Sequence, residues 1–281
     1  MELAILGNTA LPKLTRLLVQ SKLVDAMNNE GYAQNTIKRA ATLLVTVLND
    51  ALNEGMINKP PFTKLDFSRV SIPKKRTTLQ LDELKYFMEC IEKENITRKT
   101  ILYMLILLGV RGGEVLALRY TDINLEDRTI RIDETRNYYK NKSGRPKSKN
   151  SYRTLKIPQN LYDILVEYNN WFKATMNRYD FKIETDSYYF ITFKGQRVSP
   201  HYINSTFRDL RKKYKLSNLT GHMLRHTYAS ILISNNVAPS TVAKLLGDTV
   251  ETVVKVYVHP IDAHDKKALD VIEEITNTSF E

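Results

Sequence analysis

The chain has 281 residues, of which 42% are hydrophobic and 26% charged, and its net charge is +11. This length suits two domains or one large one, and the composition excludes a disordered chain. Its single cysteine, Cys90, excludes a disulfide framework and a cysteine-rich metal site. The basic excess favours a polyanion such as nucleic acid, although a basic protein without an acidic ligand remains the alternative.

The sequence contains neither a signal peptide nor a membrane-spanning segment. The N-terminus lacks the basic segment and apolar stretch of a signal peptide. The most apolar run, residues 101–110, is too short to cross a bilayer. We therefore predict a cytoplasmic protein with no membrane partner.

The first 72 residues are predicted to form a small helical domain. Apolar residues recur at helical spacing over 14–27, and again in a second helix from Thr36 to Glu54. Asn35 is the predicted N-cap of that helix and Gly55 its end. A basic, proline-containing stretch over 73–77 follows and is predicted to be a linker that contacts DNA through Lys74, Lys75 and Arg76.

A second domain is predicted over 78–262, followed by an acidic tail over 263–281. Its patterns indicate a helix capped near Thr78 or starting at Leu81, further helices over 161–172, 202–214, 222–234 and 241–246, and short strands over 129–132, 153–157 and 188–192. The fold class is therefore mainly α with a small antiparallel β-sheet.

The most basic loop lies between two of those strands. Residues 140–156 hold seven lysines and arginines and no acidic residue: Lys140, Lys142, Arg145, Lys147, Lys149, Arg153 and Lys156. Such a loop is typical of side chains that follow a phosphate backbone. Lys142, Arg145 and Arg153 are the predicted DNA contacts among them.

Two short motifs carry the chemistry. Arg111 and Glu114 are three residues apart; this spacing is common in surface ion pairs, but a guanidinium oriented by a carboxylate also suits two phosphate oxygens. His222, Arg225 and His226 form a His-x-x-Arg-His cluster, which places a histidine and an arginine on one helix face. Alone, His226 is more often a structural histidine than a reactive one.

Together these segments resemble the active-site boxes of the tyrosine recombinase (phage-type integrase) family. The resemblance places a helical core-binding domain before a mixed α/β catalytic domain. It implies that Arg111, His222 and Arg225 hold the scissile phosphate, with Glu114 and His226 in support. Tyr257, one of 16 tyrosines, matches the family's nucleophile through its Tyr-x-His ending.

The same resemblance suggests the proton donor and shows one departure. Lys147, in a Pro-Lys-Ser step, matches the lysine that protonates the leaving 5′-oxygen, and Lys149 is the second choice. Asp248 stands where most relatives have histidine or tryptophan. A carboxylate facing a phosphodiester is repelled unless protonated or turned aside. We expect it to bond the tyrosine hydroxyl or a backbone amide, or else this contact is missing.

The implied function is site-specific recombination through a 3′-phosphotyrosyl intermediate, during integration or excision of a phage or mobile element. The implied partners are double-stranded core or attachment sites, the other protomers of a tetramer, and accessory DNA-bending or directionality factors. The tail is expected to pack on a neighbouring protomer. No cofactor or metal is expected from the resemblance. A metal-dependent nuclease is also disfavoured, because the sequence has no carboxylates or histidines clustered at the spacing of metal ligands. A small arm-binding domain of some relatives is expected to be absent or removed. The alternatives are a type IB topoisomerase and a catalytically weakened DNA-binding protein.

Overall fold

The structure is a computed structural model that describes residues 7, 9–62, 64–70, 78–136, 143–144 and 152–258. The chain divides into two compact units, Met1–Lys75 and Arg76–Glu281. The division falls inside the stretch predicted to be a linker. None of the helices in the described ranges has the length and apolar character needed to cross a membrane.

The N-terminal unit is helical, as its periodicity predicts. It contains α1 (Arg16–Val19), a π-helical stretch (Gln20–Asp25), α2 (Ala26–Asn29) and α3 (Gln34–Asn53). The π-helical stretch widens the turns in the middle of what the sequence presents as one helical stripe. A core of aliphatic residues and methionine joins these segments, including Val19, Leu23, Val24, Met27, Ile37 and Leu48.

The boundaries of α3 differ slightly from the prediction. Ala33, rather than Asn35, is the N-cap, and its extended main chain accepts from the N–H groups of Thr36 and Ile37. At the other end, Gly55 has a φ of +72° just after the helix, as its predicted role as a terminator requires. The prediction of Asn35 as the N-cap was therefore wrong, because the helix begins two residues earlier.

The larger unit is built around α5 (Ile96–Leu108). Asn95 caps this helix by accepting from the N–H of Arg98, and nine of the 13 residues of the helix are buried. Before it comes α4 (Leu81–Glu92), which starts with a hydrogen bond from the N–H of Gln80 to Glu83. After it come α6 (Gly112–Val115), α7 (Gln159–Arg178), α8 (Tyr202–Tyr214), α9 (Gly221–Ser234), α10 (Pro239–Leu246) and α11 (Val250–Tyr257).

A three-stranded antiparallel sheet lies in the order β1 (Ile123–Asn124), β2 (Thr129–Ile132) and β5 (Arg153–Lys156). Its register pairs Ile130 with Leu155 and Ile132 with Arg153. A separate two-stranded pair joins β3 (Thr135–Arg136) to β4 (Ser143–Gly144). The predicted class, mainly α with a small antiparallel sheet, is confirmed.

The strand predicted over 188–192 was wrong. Only single bridges occur there, between Arg119 and Tyr188 and between Ile191 and Arg197. Consecutive side chains, Tyr189 and Phe190, are both buried, rather than alternating between core and solvent. The segment therefore serves as core packing around the aromatic rings of α7 instead of extending a sheet.

Gly109 ends α5 two residues before Arg111, and its left-handed conformation requires glycine. Its φ is +61°, and a Cβ there would lie 2.4 Å from Cδ1 of Tyr228 and 2.9 Å from Cδ2 of Leu246. We expect Gly109→Ala to lower the free energy of unfolding by roughly 2–5 kcal/mol, because left-handed strain and overpacking add. Denaturant unfolding followed by circular dichroism measures this loss.

Gly195→Ala is the matched control. Gly195 also has a positive φ (+72°), but its added Cβ would meet the side chain of Phe181, which is exposed and can shift. This variant should lose only the backbone contribution of roughly 1–2 kcal/mol. Equal losses in the two variants would show that packing around Gly109 contributes nothing.

Candidate active site

Arg111 and Glu114 meet at the start of α6. The main-chain N–H of Arg111 donates to Oε2 of Glu114 at 2.8 Å, and its Nη1 donates to Oε1 at 3.2 Å. The Arg111 side chain is 35% exposed, whereas that of Glu114 is only 2% exposed. The pair is therefore no ordinary surface ion pair: a buried carboxylate orients a guanidinium that still faces solvent.

Arg153 approaches the same carboxylate from β5. Its Nη1 and Nη2 donate to Oε1 and Oε2 of Glu114 at 3.2 and 2.9 Å, and its Nε donates to the carbonyl of Leu245 at 2.8 Å. The Arg153 side chain is 4% exposed. This corrects the expectation that Arg153 contacts DNA, because its guanidinium is turned inward onto Glu114. Arg153 instead ties β5 to α6 and to the end of α10.

Glu114 is consequently a carboxylate shared by two arginines. Burial raises the pKa of Glu114, but the hydrogen bonds and charge of Arg153, with those of Arg111, outweigh burial and hold the pKa below its ordinary value of 4.5. The group is ionised at neutral pH. It compensates the buried charge of Arg153 while it fixes the direction of Arg111.

Arg225 occupies the second half of the site, on α9. Its Nη1 donates to the carbonyl of Gly109 and its Nη2 to the carbonyl of Leu246, both at 2.8 Å. These carbonyls lie at the ends of α5 and α10, where main-chain acceptors lack helical partners and favour a cation. Burial, then the charge of Arg111, lowers the pKa of Arg225, while Asp248 opposes this shift. The guanidinium is fixed by backbone atoms of two other elements.

Asp248 joins the two halves. It lies in the short connection between α10 and α11, after Gly247, whose φ is +67°. Its Oδ1 is 3.0 Å from Nη2 of Arg111, and its Oδ2 accepts from Nη2 of Arg225 at 2.7 Å. We expected this carboxylate to turn away from the phosphate site and bond the tyrosine hydroxyl or a backbone amide. That expectation was wrong, because the two arginines attract the carboxylate and hold it in the site.

Tyr257 is the last residue of α11 and is half-buried. Burial raises the pKa of Tyr257; the charge of Arg225 opposes this rise, Asp248 reinforces it, and Arg111 opposes it. The phenol is therefore protonated at neutral pH and lies within electrostatic reach of both site arginines. Residues remote in sequence thus lie near one another, while their predicted meeting around one scissile phosphate stays a prediction.

Both histidines of the cluster lie on α9 beside these groups. The ring of His226 is 5.3 Å from the ring of Tyr257, centroid to centroid, at 53°. Burial lowers the pKa of His226, and the charges of His222 and Arg225 lower it further, so its imidazole is neutral at pH 7. His222 is exposed at the start of the helix. Thus His226 packs on the tyrosine ring, while His222 faces solvent.

The profile of the Phage integrase family matches residues 77–264, which is most of the chain and includes all of these groups. The chain belongs to the phage integrase family. It is a tyrosine-type, site-specific DNA recombinase, an enzyme that cuts and rejoins DNA strands.

Individual relatives are distant in sequence but similar over most of their length. The chain is 27% identical to a tyrosine recombinase XerC-like protein of Caldanaerobacter subterraneus, over 88% of this chain and 68% of the relative. It is 22% identical to the ICEBs1 integrase of Bacillus subtilis, over 87% of this chain and 67% of the relative. Its fold matches that of the Tn1549 transposon integrase, which was solved with a circular intermediate DNA. The TM-score is 0.77 at 18% identity, and the match covers 96% of this chain and 91% of the transposon integrase chain.

Several of the predicted site positions lie outside the described residues. These are the candidate proton donors Lys147 and Lys149, the tail over 263–281, and the DNA-contact candidates Lys74, Lys75, Arg76, Lys142 and Arg145. Their roles stay predictions. In the parts of the chain that the structure describes, no three His, Cys, Asp or Glu side chains are grouped as metal ligands.

Sequence reasoning missed the buried role of Arg153, although the signal was present. Arg153 alternates with Thr154 along β5 in the same phase as Leu155 and Ile157, so a period of two places its side chain on the inward face. The burial pattern of β5 follows this alternation. An arginine at an inward strand position predicts a buried carboxylate partner, and Glu114 is the one that the structure provides.

Removing the charge of Glu114 is expected to destabilise the recombinase strongly. Glu114→Gln leaves the buried guanidinium of Arg153 uncompensated, so we expect a loss of roughly 3–5 kcal/mol in the free energy of unfolding. Glu134→Gln is the control: Glu134 pairs with Arg119 at 3.3 Å, and 33% of its side chain is exposed. Its loss should stay below about 1 kcal/mol.

The destabilisation should depend on pH in a defined direction. Since folding lowers the pKa of Glu114, its ionised form contributes stability fully above 4.5, and that contribution disappears as the pH falls through the lowered value. The free-energy difference between wild type and Glu114→Gln should therefore shrink on acidification from about pH 7 to about pH 3. A difference that stays constant over this range would contradict the assignment.

Proposed function

We propose that Arg111 and Arg225 hold one scissile phosphodiester while Tyr257 attacks it. The observation that carries this assignment is that both guanidinium groups bind one carboxylate, that of Asp248, through their Nη2 atoms. A phosphate presents two non-bridging oxygens to arginine much as a carboxylate presents its two oxygens. The site is therefore sized for one small anion, and Tyr257 lies within the field of both cations.

The two arginines differ in burial, and we expect them to bind the phosphate in different ways. Arg225 is fixed by the carbonyls of Gly109 and Leu246, so its remaining N–H groups are preorganised without help from the substrate. Arg111 is held by Glu114 and remains partly exposed, which lets it close on the DNA strand from the solvent side. His222, exposed on α9, supplies a further donor to the phosphate, and His226 supports the ring of Tyr257.

The bond changes follow from these positions. The Tyr257 Oη–phosphorus bond forms as the phosphorus–O5′ bond breaks, leaving a 3′-phosphotyrosyl link. The phenol gives up its proton on attack, assisted by the positive charge of the arginines and by a histidine able to accept it. Lys147, with Lys149 as the second choice, gives a proton to the leaving O5′. A 5′-hydroxyl of a partner strand then reverses the steps, so no cofactor is needed.

The biological setting is integration or excision of a phage or other mobile element. Its support is the similarity to the ICEBs1 integrase and to the Tn1549 integrase, solved with a circular intermediate DNA. In this setting the two units each contact a core site, four protomers pair two sites, and the tail over 263–281 packs on a neighbouring protomer. Accessory factors that bend DNA or set direction belong to the same proposal.

The direct test is covalent capture of DNA. Duplexes made from the DNA that flanks the gene, with a nick close to the expected cleavage point, lose a short 5′-hydroxyl fragment on cleavage and so trap the adduct. We expect a denaturant-stable protein–DNA species whose DNA is joined to Tyr257, as mass spectrometry of the digested adduct would show. Linkage to another tyrosine would refute the nucleophile, and no adduct with any flanking sequence would refute strand cleavage.

The same reagents separate the two alternatives. A type IB topoisomerase would relax supercoiled plasmid without requiring paired sites or yielding exchanged products. A DNA-binding protein with weakened catalysis would bind the flanking DNA but leave no adduct. Exchange of strands between two labelled duplexes supports the recombinase alone.

A further inference from the structure

We infer that Asp248 is an internal anion that occupies the phosphate-binding donors of the DNA-free protein and must leave them for cleavage to begin. This inference rests on the proposed function, since it takes Arg111 and Arg225 as the phosphate-binding pair. The starting observation is that one carboxylate satisfies Nη2 of both arginines, at 3.0 and 2.7 Å. Asp248 therefore stands where the substrate's oxygens are expected.

The other contacts of the two arginines show that Asp248 is the replaceable one. Arg225 keeps the carbonyls of Gly109 and Leu246 if Asp248 turns away, and both acceptors are backbone atoms at helix ends. The guanidinium of Arg111 keeps its hydrogen bond from Nη1 to Glu114, at 3.2 Å, and a longer contact, 3.4 Å, to the carbonyl of Gly247. The guanidinium groups thus hold their places without Asp248, and a clamp at this position would be redundant.

Position and exposure make the exchange feasible. Asp248 lies between the end of α10 and the Thr249 cap of α11, so its side chain can rotate without disturbing either helix. Its side chain is 25% exposed and that of Arg111 is 35% exposed, whereas Arg225 is 6% exposed. The carboxylate therefore lies on the solvent side of the buried arginine, along the direction from which a DNA strand can reach it.

Charge explains what such an occupant would do. Arg111, Arg153 and Arg225 carry three positive charges, and Glu114 with Asp248 carries two negative ones, so the DNA-free cluster is nearly balanced. Removing Asp248 would leave two positive charges in excess around one anion site. A lone small anion must compete with Asp248, while a DNA strand brings many further phosphate contacts to drive the exchange. The carboxylate thus makes the site selective for phosphate within DNA.

The test compares anion binding by the DNA-free protein, using inorganic phosphate as the probe at constant ionic strength. Asp248→Asn removes the charge with little change in shape, and we expect it to bind phosphate roughly tenfold more tightly than wild type by calorimetry. Asp209→Asn is the matched control, because Asp209 also pairs with an arginine, Arg98, at 2.6 Å, and its loss changes the net charge equally. This control should bind phosphate like wild type.

Two further measurements locate the effect and guard against misfolding. The gain should shrink when Arg225→Lys is added to Asp248→Asn, since one of the two guanidinium groups that bind the anion is then lost. Asp248→Ser, which also lacks the charge, should reproduce the gain if the asparagine variant folds poorly. Phosphate affinity equal to or below wild type in both folded variants would overturn the inference and make Asp248 a structural clamp.

The rate of strand cleavage provides an independent test of the role of Asp248. With nicked flanking DNA below saturation, Asp248→Asn should form the covalent adduct several-fold faster than wild type, because no internal anion competes. A slower adduct in folded Asp248→Asn would count against the inference. If phosphate binds more tightly in the variant but neither protein ever forms an adduct, the internal anion stands and the proposed recombinase chemistry falls.

Discussion

Replacing Tyr257 with phenylalanine should abolish covalent DNA capture while leaving DNA binding intact. The substitution removes only the phenolic oxygen, which is the atom proposed to attack phosphorus. The ring that packs at 5.3 Å on His226, and its contact with the small core of α9, α10 and α11, are retained. Adduct formation on nicked DNA, measured beside binding by gel shift, separates the two properties.

Tyr179→Phe is the control for this experiment. Tyr179 lies just after α7, is 42% exposed and stacks on Phe181, away from the arginine cluster. This variant should form adduct at the wild-type rate. A persistent adduct in Tyr257→Phe would refute the assignment of the nucleophile, and loss of both adduct and DNA binding in that variant would show that the phenol serves structure instead of chemistry.

Much of the fold could be predicted because local patterns and tertiary packing agree there. The helix over Tyr202–Tyr214 has the predicted bounds, and the strand over Thr129–Ile132 alternates as its sequence does. The pattern failed where packing overrode it. Tyr189 and Phe190 have high β-propensity, yet they are buried consecutively against Tyr168 and Phe172, so an aromatic cluster replaces the expected ladder.

The candidate site was also only partly predictable from the sequence. Arg111, Arg225 and Tyr257 could be proposed from the sequence because their motifs resemble the active-site boxes of the tyrosine recombinase family. The partners of these residues could not be selected, since pairs such as Arg225 with Gly109 and Arg153 with Glu114 join elements distant in sequence. Asp248 shows the limit most clearly: its charge argued for repulsion from phosphate, but only the fold shows that two arginines share it.

Arg225→Lys is expected to slow adduct formation by roughly 10²–10³-fold, the loss typical of removing one preorganised donor from a charged intermediate. The guanidinium reaches Gly109, Leu246 and Asp248 with two separate nitrogens, and a lysine has one nitrogen for all three. If the ammonium stays on the carbonyls, it no longer reaches the phosphate. If it moves to the phosphate, buried carbonyls lose their donors, at about 1–3 kcal/mol each.

These two outcomes can be separated, and both leave the arginine essential. Single-turnover adduct rates at saturating DNA report the chemical step, while thermal unfolding of the DNA-free protein reports the lost carbonyl contacts. Arg208→Lys is the control: Arg208 is 64% exposed and its Nε lies 3.8 Å from Asp209, which is 41% exposed, so rate and stability should stay near wild type. Full activity in Arg225→Lys would mean that charge alone suffices at this position, because a point charge survives the substitution and the planar fork does not.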